Sequence, residues 1–240
     1  MERLRKLDAA LAKANALQGP LRAQLGVLQS ALQGDDPAID RACQRFIERV
    51  ENSLDGRSVL DVGDVLPAFV LPNDSGGLTS LADVLESGPA VVSFNRGHWC
   101  HQCMLELFAL ARIYPKVRSL GGTIVSIIPE RQQYSQSLKA RCKLPFPVLS
   151  DMDNSFGLSV GLVVSAMADL RDIYLEQGVD LAAFQGAESW SLPIPATFLI
   201  DRDGTIKARY VDPDYTRRME PDEILAALED LQRTGFQSTD

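Results

Sequence analysis

The chain has 240 residues, 45% of them apolar and 23% charged, with a formal net charge of −8; this is the balance of a globular protein with room for one or two domains. The acidic balance argues against nucleic acid or an anionic membrane surface as partner, and no apolar run approaches a membrane span. The basic amino terminus, Met1 to Asp8, has no apolar core behind it and does not read as a secretory signal, and four cysteines make no disulfide framework, so the expected location is cytoplasmic, where a disulfide is transient and catalytic.

Residues 1–58 read as a helical extension. Leu4, Leu7, Leu11 and Leu17 form one apolar stripe, and Leu21, Leu25, Leu28 and Leu32 form a second after Gly19-Pro20. Gly34-Asp35-Asp36-Pro37 breaks again, with Pro37 placed for the first turn of a third helix carrying Ile39, Cys43, Phe46, Ile47 and Val50. Cys43 lies on that apolar face and reads as core. Nothing in the segment suggests chemistry. It is expected to pack on the main domain or on a partner subunit, and to be dispensable for thiol chemistry but not for assembly.

From residue 59 to 240 the pattern becomes short strands alternating with helices. A strand is expected at Pro67–Pro72, a short helix within Leu78–Leu85 beginning near Thr79 or Ser80, a buried strand at Ala90–Phe94 and a helix from Cys103. The β-branched run Thr123–Ile128 predicts a further buried strand. A polar helix follows at 130–141, then a strand at Pro145–Leu149 and an insertion at about 160–190 with one helix, Ala166–Gln177. Ala196–Ile200 and Thr205–Val211 read as strands joined by the turn Asp201-Arg202-Asp203-Gly204, and Glu220–Leu231 as a closing helix. Parallel strands joined by helices, with a terminal hairpin, predict an α/β fold whose mixed sheet is covered on both faces.

The chemistry concentrates in residues 98–103. Both histidines, His98 and His101, and two of the four cysteines, Cys100 and Cys103, fall there. They sit where a strand hands over to a helix, where unpaired N–H groups and the helix dipole stabilise a thiolate. Residues i and i+3 share a face of the first turn, so the two thiols are within disulfide reach and a reversible Cys100–Cys103 bond is expected. Two buried cysteines that merely pack, or a zinc ligand set, are the competing readings. Zinc is disfavoured because no second ligand pair exists, and haem attachment because Met104 rather than histidine follows Cys103. No metal or other cofactor is called for.

The dithiol stretch, together with Asp64–Phe69, Phe146–Asp151 and Pro195–Gly204, resembles the peroxiredoxin-like branch of the thioredoxin superfamily, related to alkyl hydroperoxide reductase C and thiol-specific antioxidant proteins. The resemblance spans about residues 62–234. It implies a thioredoxin-like fold, no cofactor, and thiol-dependent reduction of peroxides or disulfides. Arg96 stands where that branch carries proline and Cys100 where it carries threonine. Cys103, followed by Glu106, matches its peroxidatic cysteine. Pro195 matches the cis-proline that faces the dithiol in thioredoxins.

Arg96 is a candidate for holding a thiolate or a peroxide oxygen, against a plain strand-end arginine paired with a surface carboxylate. Trp99 is read as a wall of the site. A protonated His101 would favour the thiolate. Glu106 is either a first-turn acid serving the helix dipole or a proton acceptor. Cys142 is a remote candidate for resolving a sulfenic acid, and Asp212–Tyr215 reads as a surface turn. The leading function is a cytoplasmic antioxidant peroxidase cycling between dithiol and disulfide, with Cys103 as the sulfenic acid, a hydroperoxide as substrate and a thioredoxin-like or small thiol as reductant. A homodimer is expected. The alternative is an oxidoreductase acting on protein disulfides.

Overall fold

Alternating apolar residues build one central sheet whose two faces are both buried. In the computed structural model the described residues are 2–34, 36–54 and 58–237; expectations that touch Asp35, residues 55–57 or the side chains of Leu4 and Leu32 lie outside them. The chain begins with three helices, α1 (Glu2–Ala16), α2 (Leu21–Leu32) and α3 (Pro37–Leu54). A short hairpin follows, β1 (Val70–Pro72) with β2 (Leu78–Ser80), then α4 (Leu81–Glu86), β3 (Ala90–Phe94), α5 (His101–Ser119), β4 (Thr123–Ile128), α6 (Gln132–Cys142) and β5 (Val148–Ser150). Next come α7 (Ser155–Ser159), then β6 (Val163–Ser165), α8 (Met167–Glu176) and α9 (Leu181–Gln185) within the insertion, and β7 (Ser191–Pro193) at its end. The chain closes with β8 (Ala196–Ile200), β9 (Ile206–Val211) and α10 (Pro221–Gln237).

The five-stranded sheet runs β5-β4-β3-β8-β9, parallel from β5 to β3 and antiparallel from β3 through β9. β3 is its middle strand, so the chain leaving Phe94 emerges at the centre of the sheet edge, the usual place for a site in such a sheet. Successive side chains point to opposite faces. Val91, Ile124, Ile128 and Val148 therefore meet α1, α2, α5 and α10 on one side, while Val92, Phe94, Ile127 and Phe198 meet α3 and the insertion on the other.

The amino-terminal helices thus straddle the sheet. Leu7, Leu11, Leu21, Leu25 and Leu28 pack with α5, while Ala42, Phe46 and Val50 join the opposite core. Leu17 leaves its predicted stripe and is 40% exposed, because α1 ends one residue before it. Pro20 cannot cap α2; the carboxylate of Glu220 does so from the far end of the chain, accepting the Leu21 and Arg22 N–H groups at 2.8 Å each. The helix expected at Leu78–Leu85 is split. Leu78–Ser80 pairs with β1, and α4 starts at Leu81 behind a capping box of Ser80 and Asp83. The insertion carries a second hairpin, β6 with β7, beside its predicted helix. No described helix is long and apolar enough to cross a membrane.

Candidate active site

The loop leaving β3 is shaped by buried polar contacts. Asn95 donates its backbone N–H to the Ile127 carbonyl at 2.9 Å and its amide to Ser93 Oγ at 2.8 Å. Gly97 follows with φ 144°. His98 then clamps onto Glu130, a carboxylate with no exposure: the His98 N–H meets Oε2 at 2.8 Å and Nδ1 meets Oε1 at 2.8 Å. Burial pushes the Glu130 carboxyl upward, and His98 opposes that shift. A Cβ on Gly97 would stand 2.6 Å from Glu130 Oε1 and 2.7 Å from Trp99 Nε1, in a backbone conformation few side chains accept. Gly97→Ala is therefore expected to destabilise the fold by about 1–3 kcal/mol. Denaturant unfolding measures it, and a midpoint equal to the parent's would show that the clamp yields freely.

The clamp delivers Cys100 to the N-cap of α5. Its sulfur accepts the Cys103 N–H at 3.4 Å. Cys103, one turn in, receives the Arg96 backbone N–H at 3.5 Å and an Arg218 Nη2 donor at 3.4 Å. The two thiols answer burial differently. Burial alone would raise Cys100, yet the hydrogen bond from Cys103 and the charges of Arg96 and Arg218 bring it down to about 6. Cys103 is pushed well above the ordinary thiol range by burial and by the neighbouring Cys100 charge, with Arg218 opposing. The pair therefore favours the thiolate on Cys100 and the thiol on Cys103. Both thiols are free.

Two arginines back this pair. Arg218, from the segment between β9 and α10, donates Nε to Glu106 Oε2 at 2.5 Å, and both side chains are almost wholly buried. Ser93 and Thr197 hydroxyls donate to the other Glu106 oxygen at 3.1 and 3.2 Å. Glu106 is thus an internal anchor for a buried cation rather than an exposed first-turn acid. Arg96 is 2% exposed and no carboxylate pairs with it among the described residues. Its guanidinium lies 4.0 Å from the Tyr215 ring centre and 5.1 Å from that of Trp99, and donates to the Tyr174 hydroxyl. The expected surface carboxylate partner is replaced by this aromatic cage.

The remaining expectations sort by position. His101 points its Nε2 at Asp8 of α1, 3.0 Å away, and Arg141 shares that carboxylate at 2.6 Å. Burial depresses the His101 ring, with Asp8 opposing, so it supplies no cation to the dithiol. Pro195 is buried but trans: no described peptide bond is cis. Here β7 runs on through Ile194, which hydrogen-bonds Leu162, straight into β8, and a trans bond serves an extended run at lower cost. Cys142, the last residue of α6, lies in the core off the site, its thiol pushed up to about 12 by burial. Arg218, Tyr174, Tyr215 and Glu130 are site residues that the sequence reading did not select.

A cavity of about 100 Å³ opens beside the dithiol. Arg96, Trp99 and Cys100 line it, whereas Cys103 lies behind with no exposure. Leu7 of α1, Ile39 and Cys43 of α3, and Tyr174 of α8 complete its wall. The amino-terminal helices, expected to carry no chemistry, therefore form part of the site. They straddle the sheet around the start of α5, and so must pass the dithiol.

Comparisons with known proteins agree with this geometry. The model of the AhpC/TSA family matches residues 62–209. The bcp protein of Coxiella burnetii, named as a peroxiredoxin, is 27% identical over 149 residues, 62% of this chain and 87% of that one. The chloroplastic peroxiredoxin Q of Suaeda salsa is 25% identical over 70% of this chain and 68% of its own. The crystal structure of peroxidoxin BcpB from Mycobacterium tuberculosis shares the fold at a TM-score of 0.56 and 19% identity, covering 72% of this chain and 98% of that one. Joined to the thioredoxin-like sheet and the buried dithiol at its edge, the match over 62–209 makes the chain a member of the AhpC/TSA family, a peroxiredoxin-like oxidoreductase of the thioredoxin superfamily.

Proposed function

We propose that this protein is an antioxidant thiol peroxidase that works through a Cys100–Cys103 dithiol/disulfide cycle. The observation that carries the reading is a thiolate-forming cysteine on a small cavity, held by a helix N-terminus and two buried arginines. Cys100 thiolate attacks the terminal oxygen of a hydroperoxide. The S–O bond forms as the O–O bond breaks, and the departing alkoxide or hydroxide takes a proton. Cys103, which keeps its proton in the resting pair, then attacks the Cys100 sulfenic acid, forming the disulfide and releasing water. A thioredoxin-like or small external dithiol restores both thiols by exchange.

This order reverses the one suggested by the register of Cys103 and Glu106. Cavity access and the depressed pKa both favour Cys100 as the attacking sulfur. The similarity to named peroxiredoxins supports peroxide over a protein disulfide as oxidant. Stopped-flow oxidation of the reduced protein by hydrogen peroxide, followed by Trp99 and Trp190 fluorescence, tests the reading. Insulin reduction without peroxide turnover would replace it with the disulfide oxidoreductase.

The lowered Cys100 pKa sets a pH dependence. Thiolate is the reactive form, so alkylation of Cys100 by iodoacetamide should be level above about pH 7 and fall about tenfold per unit below about 6. Mass-spectrometric rates over pH 4.5–9 check this. A midpoint near 8.5, where a free thiol titrates, would remove the arginines' role.

A further inference from the structure

Resting on the peroxidase reading, we infer that Tyr174 of α8 is a catalytic residue whose hydroxyl gives its proton to the peroxide oxygen that departs as Cys100 attacks. The step calls for such a donor. Thiolate attack expels an alkoxide or hydroxide, whose conjugate acids are very weak; water itself has a pKa of about 15.7. A positioned side chain that gives up a proton as the O–O bond breaks lowers that barrier.

The wall of the Cys100 cavity offers several polar groups, and most are unsuited. The Arg96 guanidinium keeps its protons, and the amides of Gln102 and Gln177 are not acids. His101 turns Nε2 to Asp8, and burial disfavours its protonated ring. The Tyr215 hydroxyl and the Cys43 thiol are engaged with each other. Tyr174 remains on the same wall. Its ring centre lies 5.0 Å from that of Trp99, and its hydroxyl accepts a hydrogen bond from Arg96 Nη2. No described residue accepts the proton of that hydroxyl, and Arg96 Nε is buried without an acceptor. Two unfilled donors beside Cys100 fit a guest that brings oxygen.

Arg96 ties this donor to the nucleophile. Its charge favours both the Cys100 thiolate and the ionised form of Tyr174. Burial outweighs that charge at Tyr174 and holds the phenol protonated at rest, yet a phenol remains a better acid than the water or alcohol being formed. The Cys100 sulfur bonds to the terminal oxygen, the O–O electron pair leaves on the second oxygen, and that oxygen takes the Tyr174 proton. Arg96 exchanges a thiolate counter-ion for a phenolate, which regains its proton from solvent.

Stopped-flow oxidation of the full-length reduced protein by hydrogen peroxide, and by peracetic acid freed of hydrogen peroxide, tests this. The first expels hydroxide, which needs the proton. The second expels acetate, a carboxylate whose acid has a pKa of about 4, and needs none. Tyr174→Phe should slow the first about 100-fold, the low end for a positioned acid, and leave the second within about threefold. A purely structural role, through the hold of Tyr174 on Arg96, would slow both alike. That outcome overturns the inference, as does an unchanged rate with both. Circular dichroism reports whether the variant folds. Should it not, wild-type rates in heavy water decide, measured above the Cys100 titration: hydrogen peroxide should react more slowly there and peracetic acid should not, and any other pattern overturns the inference. If neither oxidises the wild-type protein, the peroxidase reading itself falls and takes this one with it.

Discussion

Cys100→Ser is expected to reduce peroxide consumption by on the order of 10³-fold or more, the scale of removing a nucleophile. The hydroxyl that replaces the thiol does not ionise at neutral pH, so the charge that Arg96 and Arg218 hold at the cavity is lost. Cys103 does not take over, because it has no exposure and lies behind the cavity rather than on its wall. Cys103→Ser should behave differently. It keeps the first step and stops at the sulfenic acid, so one equivalent of peroxide should give a dimedone adduct on Cys100. If the adduct instead forms on Cys103 in Cys100→Ser, while Cys103→Ser stays inert, the register of Cys103 with Glu106 governs and the cavity is not the peroxide's route.

Arg218→Met is expected to lower stability by about 3–5 kcal/mol, because it leaves the Glu106 carboxylate buried without its cation. Glu106 keeps only the Ser93 and Thr197 hydroxyls, which solvate a charge poorly. For a chain of this size that corresponds to a fall in Tm of roughly 10 °C, read by calorimetry. Adding Glu106→Gln should recover part of the loss, since an amide can use the same hydroxyls without a counter-ion. The same substitution removes a charge from beside both thiols, so the Cys100 titration should move upward. A single variant as stable as the parent would mean that water reaches Glu106 and the pair is not closed.

What the sequence made legible follows the strength of its local patterns. Ala90–Phe94, Thr123–Ile128 and Ala196–Ile200 are long apolar runs, and each is a strand at its expected bounds. β6 and β7 are three residues each and exist only by pairing with one another, so no periodicity announces them. The dithiol was legible because the motif is contiguous. Its supports were not: Arg218 reaches Cys103 across 115 residues, from a polar stretch that looks like any surface turn. Asp212 and Asp214 do form that turn, capping the N–H groups of Asp214 and Thr216. Tyr215 beside them instead covers Arg96. His101 misled because spacing shows which residues are close along the chain, and not that α1 would offer it Asp8.

The cage around Arg96 has a consequence for the redox cycle. With Arg218 matched by Glu106, the anion that balances Arg96 is the thiolate itself, so the buried site is electroneutral only while reduced. Closing the disulfide deletes that anion and leaves the buried Arg96 cation with aromatic faces and the Tyr174 hydroxyl as its partners. The penalty falls on the oxidised protein alone. The disulfide should therefore be a comparatively strong oxidant, easily returned to thiols, with each tenfold in the exchange constant worth about 30 mV. Replacing Arg96 by methionine should make the potential more negative, by relieving the oxidised state more than the reduced one. Equilibration against a glutathione redox buffer reads that shift directly.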